Sequence, residues 1–132
     1  MAQEPRSWQP VTLGPDAPAP LGAYSPGARA GRLLFVSGQI PKDPRTGKIE
    51  GDTVASQTRR TLENVRAVLK AGGASMRDVV SVTVYLADPK DWDEFNNVYK
   101  TVFEPPYPAR AVVGAGLRGI LVEISAVAWI SE

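Results

Sequence analysis

Leu121-Val122-Glu123-Ile124-Ser125-Ala126-Val127-Ala128-Trp129-Ile130 is the stretch that decides the architecture. A strand turns alternate side chains to opposite faces. Val122, Ile124, Ala126, Ala128 and Ile130 point one way, and Leu121, Glu123, Ser125, Val127 and Trp129 the other. Both sets are largely apolar, so both faces of this strand require cover.

The neighbouring segments indicate what covers one of them. Val79–Leu86 is β-branched and alternating, as a central strand is. Leu33-Leu34-Phe35-Val36 is a continuous apolar run inside a strand expected at Arg32–Ser37. A strand at Ala23–Ala30 precedes it, with Gly31 as the turn between them. Pro41 to Gly51 is a loop. A helix is expected over Thr53–Ala71, where Val54, Thr58, Leu62, Val65 and Leu69 form one stripe. Asp52 can cap its start, and Gly72-Gly73 can end it. A second helix is expected over Trp92–Phe103, burying Trp92, Phe95, Tyr99, Val102 and Phe103. Asp91 and Glu94 resemble a capping box, and Pro105-Pro106 forbids continuation. Strands at Ala109–Ala115 and Leu121–Ile130 close the chain, with Arg118-Gly119 at the turn.

The order reads as β-β-α-β-α-β, an α+β fold. Each helix lies between strands and acts as a crossover, which places both helices on one sheet face. The second face then has no helix. An exposed apolar sheet face of several hundred Å2 is rare on a monomer. A symmetric oligomer covers such a face and creates clefts between subunits.

The chain has 132 residues, enough for one domain. Residues 1–16 read as an extended N-terminal arm and 17–132 as the domain. The first twenty residues hold five of the twelve prolines, with partial order expected around Trp8 to Leu13. Charge is balanced at 15 basic to 14 acidic residues, without a basic stripe, so nucleic acid is not an expected partner. Arg59-Arg60 reads as part of a solvated helix face. Cysteine and histidine are both absent. Their absence excludes Cys/His zinc sites and Ser-His-Asp or Cys-His nucleophiles. Catalysis must use carboxylates, Tyr, Lys, Arg, hydroxyls or backbone amides. No signal peptide and no membrane span is legible, which fits a soluble cytoplasmic protein.

Among residues that could carry chemistry, Arg110 stands at the start of a strand of small and apolar residues. It is either a strand-edge arginine in solvent or a clamp whose planar fork grips a carboxylate in two hydrogen bonds. Glu123 interrupts an apolar strand on the uncovered face. It is either an ion-pair partner of Arg110 or Arg118, or a carboxylate that orients and activates water. Gly38 can present its amide to an anion. Tyr24, Ser25, Ser37, Gln39 and Asn96 are individually weak signals.

Taken together they are specific. Gly22-x-Tyr24-Ser25, Phe35-Val36-Ser37-Gly38-Gln39-Ile40, Gln57-Thr58 to Asn64, Val82-Thr83-Val84-Tyr85-Leu86-Ala87-Asp88 and Phe95-Asn96-x-x-Tyr99 follow in order. Pro108-Ala109-Arg110-Ala111 and Val122-Glu123-Ile124-x-Ala126-Val127-Ala128 complete the set. This combination resembles the Rid imine deaminase family, also called the YjgF type, from about Ala17 to Ile130. The resemblance implies a homotrimer of a fold similar to bacterial chorismate mutase, with three clefts at subunit interfaces and neither metal nor organic cofactor. It implies an enzyme that hydrolyses 2-aminoacrylate, 2-aminocrotonate and their imine tautomers to 2-keto acids and ammonia. In that scheme Arg110 holds the substrate carboxylate and Glu123 positions water. Tyr24 shuttles a proton or walls the pocket, and Ser37, Gly38 and Asn96 line it. The presence of the arginine places the chain with the branch active on imines. Val112 stands in the pocket where a cysteine is common, and Ser125 where a second glutamate is common, so these two positions bear on the substrate side chain. Two other classes stay open. One is a non-catalytic trimer that binds small carboxylates or regulates. The other is an endoribonuclease, a label some relatives carry, against which the missing histidine and basic stripe weigh.

Overall fold

The computed structural model describes residues 5–14 and 19–131. Six strands form one mixed sheet: β1 (Gln9–Pro10), β2 (Gly27–Ala30), β3 (Leu33–Gln39), β4 (Val79–Leu86), β5 (Ala109–Gly114) and β6 (Val122–Trp129). The helices are α1 (Val54–Ala71) and α2 (Trp92–Val102). Strand order across the sheet is β1-β2-β3-β6-β4-β5. Only β4 and β5 pair in parallel; the other neighbours are antiparallel.

The described elements run β-β-β-α-β-α-β-β, two strands more than the expected β-β-α-β-α-β. One of the two is β1, which the arm adds as an edge strand on β2, with Val11 buried in the core beside it. The other is β6, the second of the two C-terminal strands, which is expected at Leu121–Ile130 although that order omits it. The expected boundary between residues 16 and 17 lies outside the described residues. The expected strand at Ala23–Ala30 begins only at Gly27, because Tyr24 N donates to Gly22 O and bends the chain there.

The alternation in the last strand holds. Val122, Ile124, Ala126 and Ala128 are buried, and they pair with Leu86, Val84 and Val82 of β4 or with Leu34 of β3. α1 and α2 cover this face. Its core joins Leu34, Val36, Val82 and Val84 to Leu62, Val65, Val68 and Leu69 of α1 and Phe95 and Tyr99 of α2. The other face carries Phe35, Val113 and Trp129, which are 44%, 43% and 48% exposed. No described helix covers them, and none is long and apolar enough to cross a membrane.

Helix ends depart from expectation in two places. Thr53, rather than Asp52, caps α1: its Oγ1 accepts from Ser56 N, and Ser56 Oγ accepts from Thr53 N. Asp91 makes no side-chain cap on α2. Glu94 instead reaches across, and its Oε2 accepts from Ala55 N at 2.9 Å in the first turn of α1. A carboxylate there also meets the positive end of the helix dipole. At the other end of α1, Gly73 takes φ +90°, the left-handed conformation that glycine adopts without strain. Trp92 is 42% exposed and does not join the buried stripe of α2.

A line of buried polar side chains on α1 fixes the loops around the sheet. Gln57 Nε2 donates to Gly51 O, and its Oε1 accepts from Leu121 N. Asn64 Nδ2 donates to the carbonyls of Ile40 and Lys42, both at 2.8 Å. Asn64 Oδ1 accepts from Arg60 Nη2 at 2.9 Å. Arg60 is therefore half-buried in this network, while Arg59 is the solvated member of the pair.

Candidate active site

Arg110 lies on the edge strand β5, paired with Val82, so its side chain turns to the helix-covered face. There its Nη1 donates to Asn96 Oδ1 at 2.8 Å. The guanidinium carbon sits 4.6 Å from the centre of the Tyr99 ring, 5.5 Å from Trp92 and 5.8 Å from Phe95. Aromatic faces attract a cation at these distances. The aromatic stripe of α2 thus cradles a charge as well as filling the core. Phe95, Tyr99 and Phe103 stack in sequence along it. Burial pushes the Tyr99 phenol above its ordinary 10.0, and the Arg110 charge beside it works against that rise. Asn96 takes one of five N–H donors, and the Tyr99 ring lies against the guanidinium. The rest of the guanidinium borders a cavity of about 450 Å3, shared with Asn96, Tyr99, Lys100, Tyr107 and Pro108.

Glu123 lies on β6, paired with Tyr85, and turns to the opposite face. Pairing between β3 and β6 is interrupted between Val36 and Gln39, which lets Ser37 and Gly38 bulge. The Glu123 carboxylate packs onto Gly38 at this bulge. Tyr24, Gly38 and Glu123 line a cavity of about 590 Å3. The Tyr24 hydroxyl accepts from Leu21 N at 3.2 Å, which fastens the ring to the chain segment at the cavity rim.

The residues singled out from sequence therefore fall into two groups. Arg110 and Asn96 meet on the helix side. Tyr24, Gly38 and Glu123 meet on the open side. No ion pair joins Glu123 to Arg110 or Arg118. Within one chain, then, Glu123 has no cationic side chain at ion-pair distance among the described residues. Ser37 and Val112 line neither cavity. The Ser37 hydroxyl donates to Ser25 O at 2.6 Å, and Val112 packs against the core. Three further polar side chains line the larger cavity without having been singled out as site candidates: Lys42, Tyr85 and Arg118. Arg118 shows in the sequence as a turn residue and as a possible ion-pair partner of Glu123, and Tyr85 as a strand residue. Lys42 sits in a proline-flanked loop that gives no sign of burial.

A family model described as Endoribonuclease L-PSP matches residues 14–130. A RutC family protein of Pyrococcus horikoshii is 45% identical over 121 residues, covering 90% of this chain and 96% of its own. A protein of Rattus norvegicus named 2-iminobutanoate/2-iminopropanoate deaminase is 42% identical over 114 residues, covering 85% of this chain and 83% of its own. The crystal structure of RidA from a Psychrobacter species superposes with a TM-score of 0.87 at 32% identity, covering 92% of this chain and 100% of its own.

Proposed function

The chain belongs to the Rid family, also called the YjgF or RutC type, and from that premise we propose that it hydrolyses small 2-imino and 2-enamino acids, of the 2-aminoacrylate and 2-aminocrotonate type, to 2-keto acids and ammonia. The observation that carries this reading is the division of the site residues. One face of the sheet offers a held guanidinium. The other offers a carboxylate over a glycine bulge. One substrate needs both, and a second copy docked on the open apolar face, bringing its β5 edge to the first copy's Glu123, supplies both to one cleft. A closed ring of three such copies is the assembly proposed, and the similarity to a rat protein named for this activity supports the chemistry.

The reaction needs little from the protein. An imine carbon is already electrophilic, and more so when its nitrogen is protonated. Arg110 fixes the substrate carboxylate through the donors that Asn96 leaves over, while Asn96 and Tyr99 hold the fork in place. Glu123 orients a water and takes its proton, a role contributing about 10²–10⁴-fold. The water oxygen bonds to the imine carbon, and the C=N π pair moves to nitrogen, which takes a proton. The resulting carbinolamine loses ammonia as its C–N bond breaks and its hydroxyl becomes the keto oxygen. Tyr24, on the same side as Glu123, is placed to relay the proton or to exclude solvent.

The deciding experiment generates an imine in situ with an amino-acid oxidase and follows keto-acid release, with RNA cleavage assayed in parallel. Acceleration of hydrolysis with no RNA cleavage is expected. RNA cleavage without imine hydrolysis overturns the proposal.

A further inference from the structure

Lys42 is the only buried charged side chain among the described residues, at 8% exposure. Its ammonium carries three donors. One reaches Ala19 O at 3.0 Å. No described carboxylate lies within ion-pair distance of it. A buried charge without a counter-charge is costly, and charges retained in such places normally meet one. The backbone around Lys42 is fixed: its carbonyl accepts from Asn64, and Lys42 bridges Ile49 across the loop. The side chain lines the same cavity as Gly38 and Glu123.

Arg118 lines that cavity from the β5–β6 turn and makes no hydrogen bond or ion pair among the described residues. Two cations therefore face a single carboxylate, Glu123, whose proposed task is to hold water. The cavity, at about 590 Å3, lies within the range that takes ligands of drug size, about 300–1,000 Å3. A three- or four-carbon imino acid leaves most of it unfilled.

We propose that this cavity is an anion subsite, with Lys42 as its main anchor and Arg118 as its second, so that the preferred substrates are imino acids whose side chain ends in a second carboxylate. The inference rests on the reading of the site as an imine hydrolase. The substrate's 2-carboxylate goes to Arg110 of a neighbouring copy, the imine carbon sits by Glu123, and the side chain runs inward to Lys42. The reaction is otherwise the same: water adds to the imine carbon, ammonia leaves and a keto diacid forms.

The test compares imines made in situ from aspartate or glutamate with imines made from leucine or methionine. The readout is the ratio of kcat/KM for acidic over neutral substrate. Lys42→Met is expected to lower that ratio about tenfold to a hundredfold, as the loss of one charge-assisted hydrogen bond does. Lys42→Arg is expected to restore most of it. Arg118→Ala, at an exposed turn remote from the core, is expected to lower it less. In parallel, calorimetry with 2-oxoglutarate and 2-oxobutanoate reads the same preference without catalysis. A ratio and a binding preference that do not move in Lys42→Met overturn the subsite, and they leave the imine hydrolase standing if neutral imines are still consumed. A wild type that consumes no imine yet binds 2-oxoglutarate in a Lys42-dependent way overturns the hydrolase and retains the anion subsite.

Discussion

Glu123 lies so close over Gly38 that a Cβ at position 38 would stand 2.5 Å from Glu123 Oε2 and 3.0 Å from its Cδ. Real Cβ atoms do not occur at such separations, so any side chain at 38 moves the carboxylate. Gly38→Ala is therefore expected to displace the group that orients water while leaving the core beneath it intact. A fall in kcat of at least about tenfold is expected, with a melting temperature within a few degrees of wild type. Steady-state kinetics beside a thermal melt check this. Full activity in Gly38→Ala means the carboxylate position does not matter to the reaction.

Arg110 is held by Asn96 and by the Tyr99 ring, so lysine cannot take its place by supplying charge alone. Charge-assisted hydrogen bonds contribute about 1.5–3 kcal/mol each, and two of them correspond to roughly two to four decades in rate. Arg110→Lys and Arg110→Ala are both expected to lose nearly all imine hydrolysis at unchanged oligomeric mass. Keto-acid release and sedimentation equilibrium on the same samples are the measurement. Dissociation of either variant into monomers assigns Arg110 to assembly instead.

Asn64 joins the loop that carries Lys42 to α1 from the buried interior. Asn64→Ala leaves the carbonyls of Ile40 and Lys42 without their donor and strips Arg60 of its acceptor. The loss is expected at about 2–4 kcal/mol, from unsatisfied buried groups at about 1–3 kcal/mol each. Urea denaturation measures it, and a loss below about 0.5 kcal/mol, the ordinary size for a surface substitution, refutes the anchoring role.

The Tyr99 phenol titrates above its ordinary value of 10.0 because it is buried. Its raised folded pKa means that the unfolded chain releases this proton first as pH rises. The contribution is present in full below pH 10 and is lost as pH climbs from there through the folded value. Thermal melts between pH 9 and 11 are expected to fall more steeply for wild type than for Tyr99→Phe. Parallel slopes for the two proteins show that Tyr99 does not titrate differently on folding.

Period-two alternation in Leu121–Ile130 is hard to misread, and it correctly separates a buried face from an open one. The helical stripe of α1 is equally legible, since Val54, Thr58, Leu62, Val65 and Leu69 are all buried. Long-range polar contacts are a different matter. Glu94 belongs to the end of α1 rather than to its own helix, a contact 39 residues away that no local pattern carries. Lys42 lies between Pro41 and Pro44 in a stretch that reads as solvated loop. Asn64, 22 residues on, donates to its carbonyl and draws the loop inward. Arg110 and Glu123 are both conspicuous in the sequence, yet their placement on opposite faces follows from the parallel β4–β5 register, which single strands do not reveal.

That opposition makes the shared cleft testable by mixing. If each cleft takes Arg110 from one copy and Glu123 from the next, Arg110→Ala and Glu123→Ala are each inactive as pure proteins. Each still carries the half that the other lacks. Subunits exchanged at equal amounts, by mild denaturation and refolding together, place an intact Arg110 against an intact Glu123 in about one quarter of the clefts of a closed ring. Activity of the mixture is therefore expected to recover to about a quarter of wild type, while the two proteins mixed without exchange stay inactive. Phe35→Asp, which puts a charge on the open apolar face, is expected to give monomers that lose activity with both half-sites intact. The measurements are keto-acid release after exchange and sedimentation of the Phe35→Asp variant. An exchanged mixture with no recovered activity, or an active Phe35→Asp monomer, shows that both groups serve the reaction within one chain or not at all.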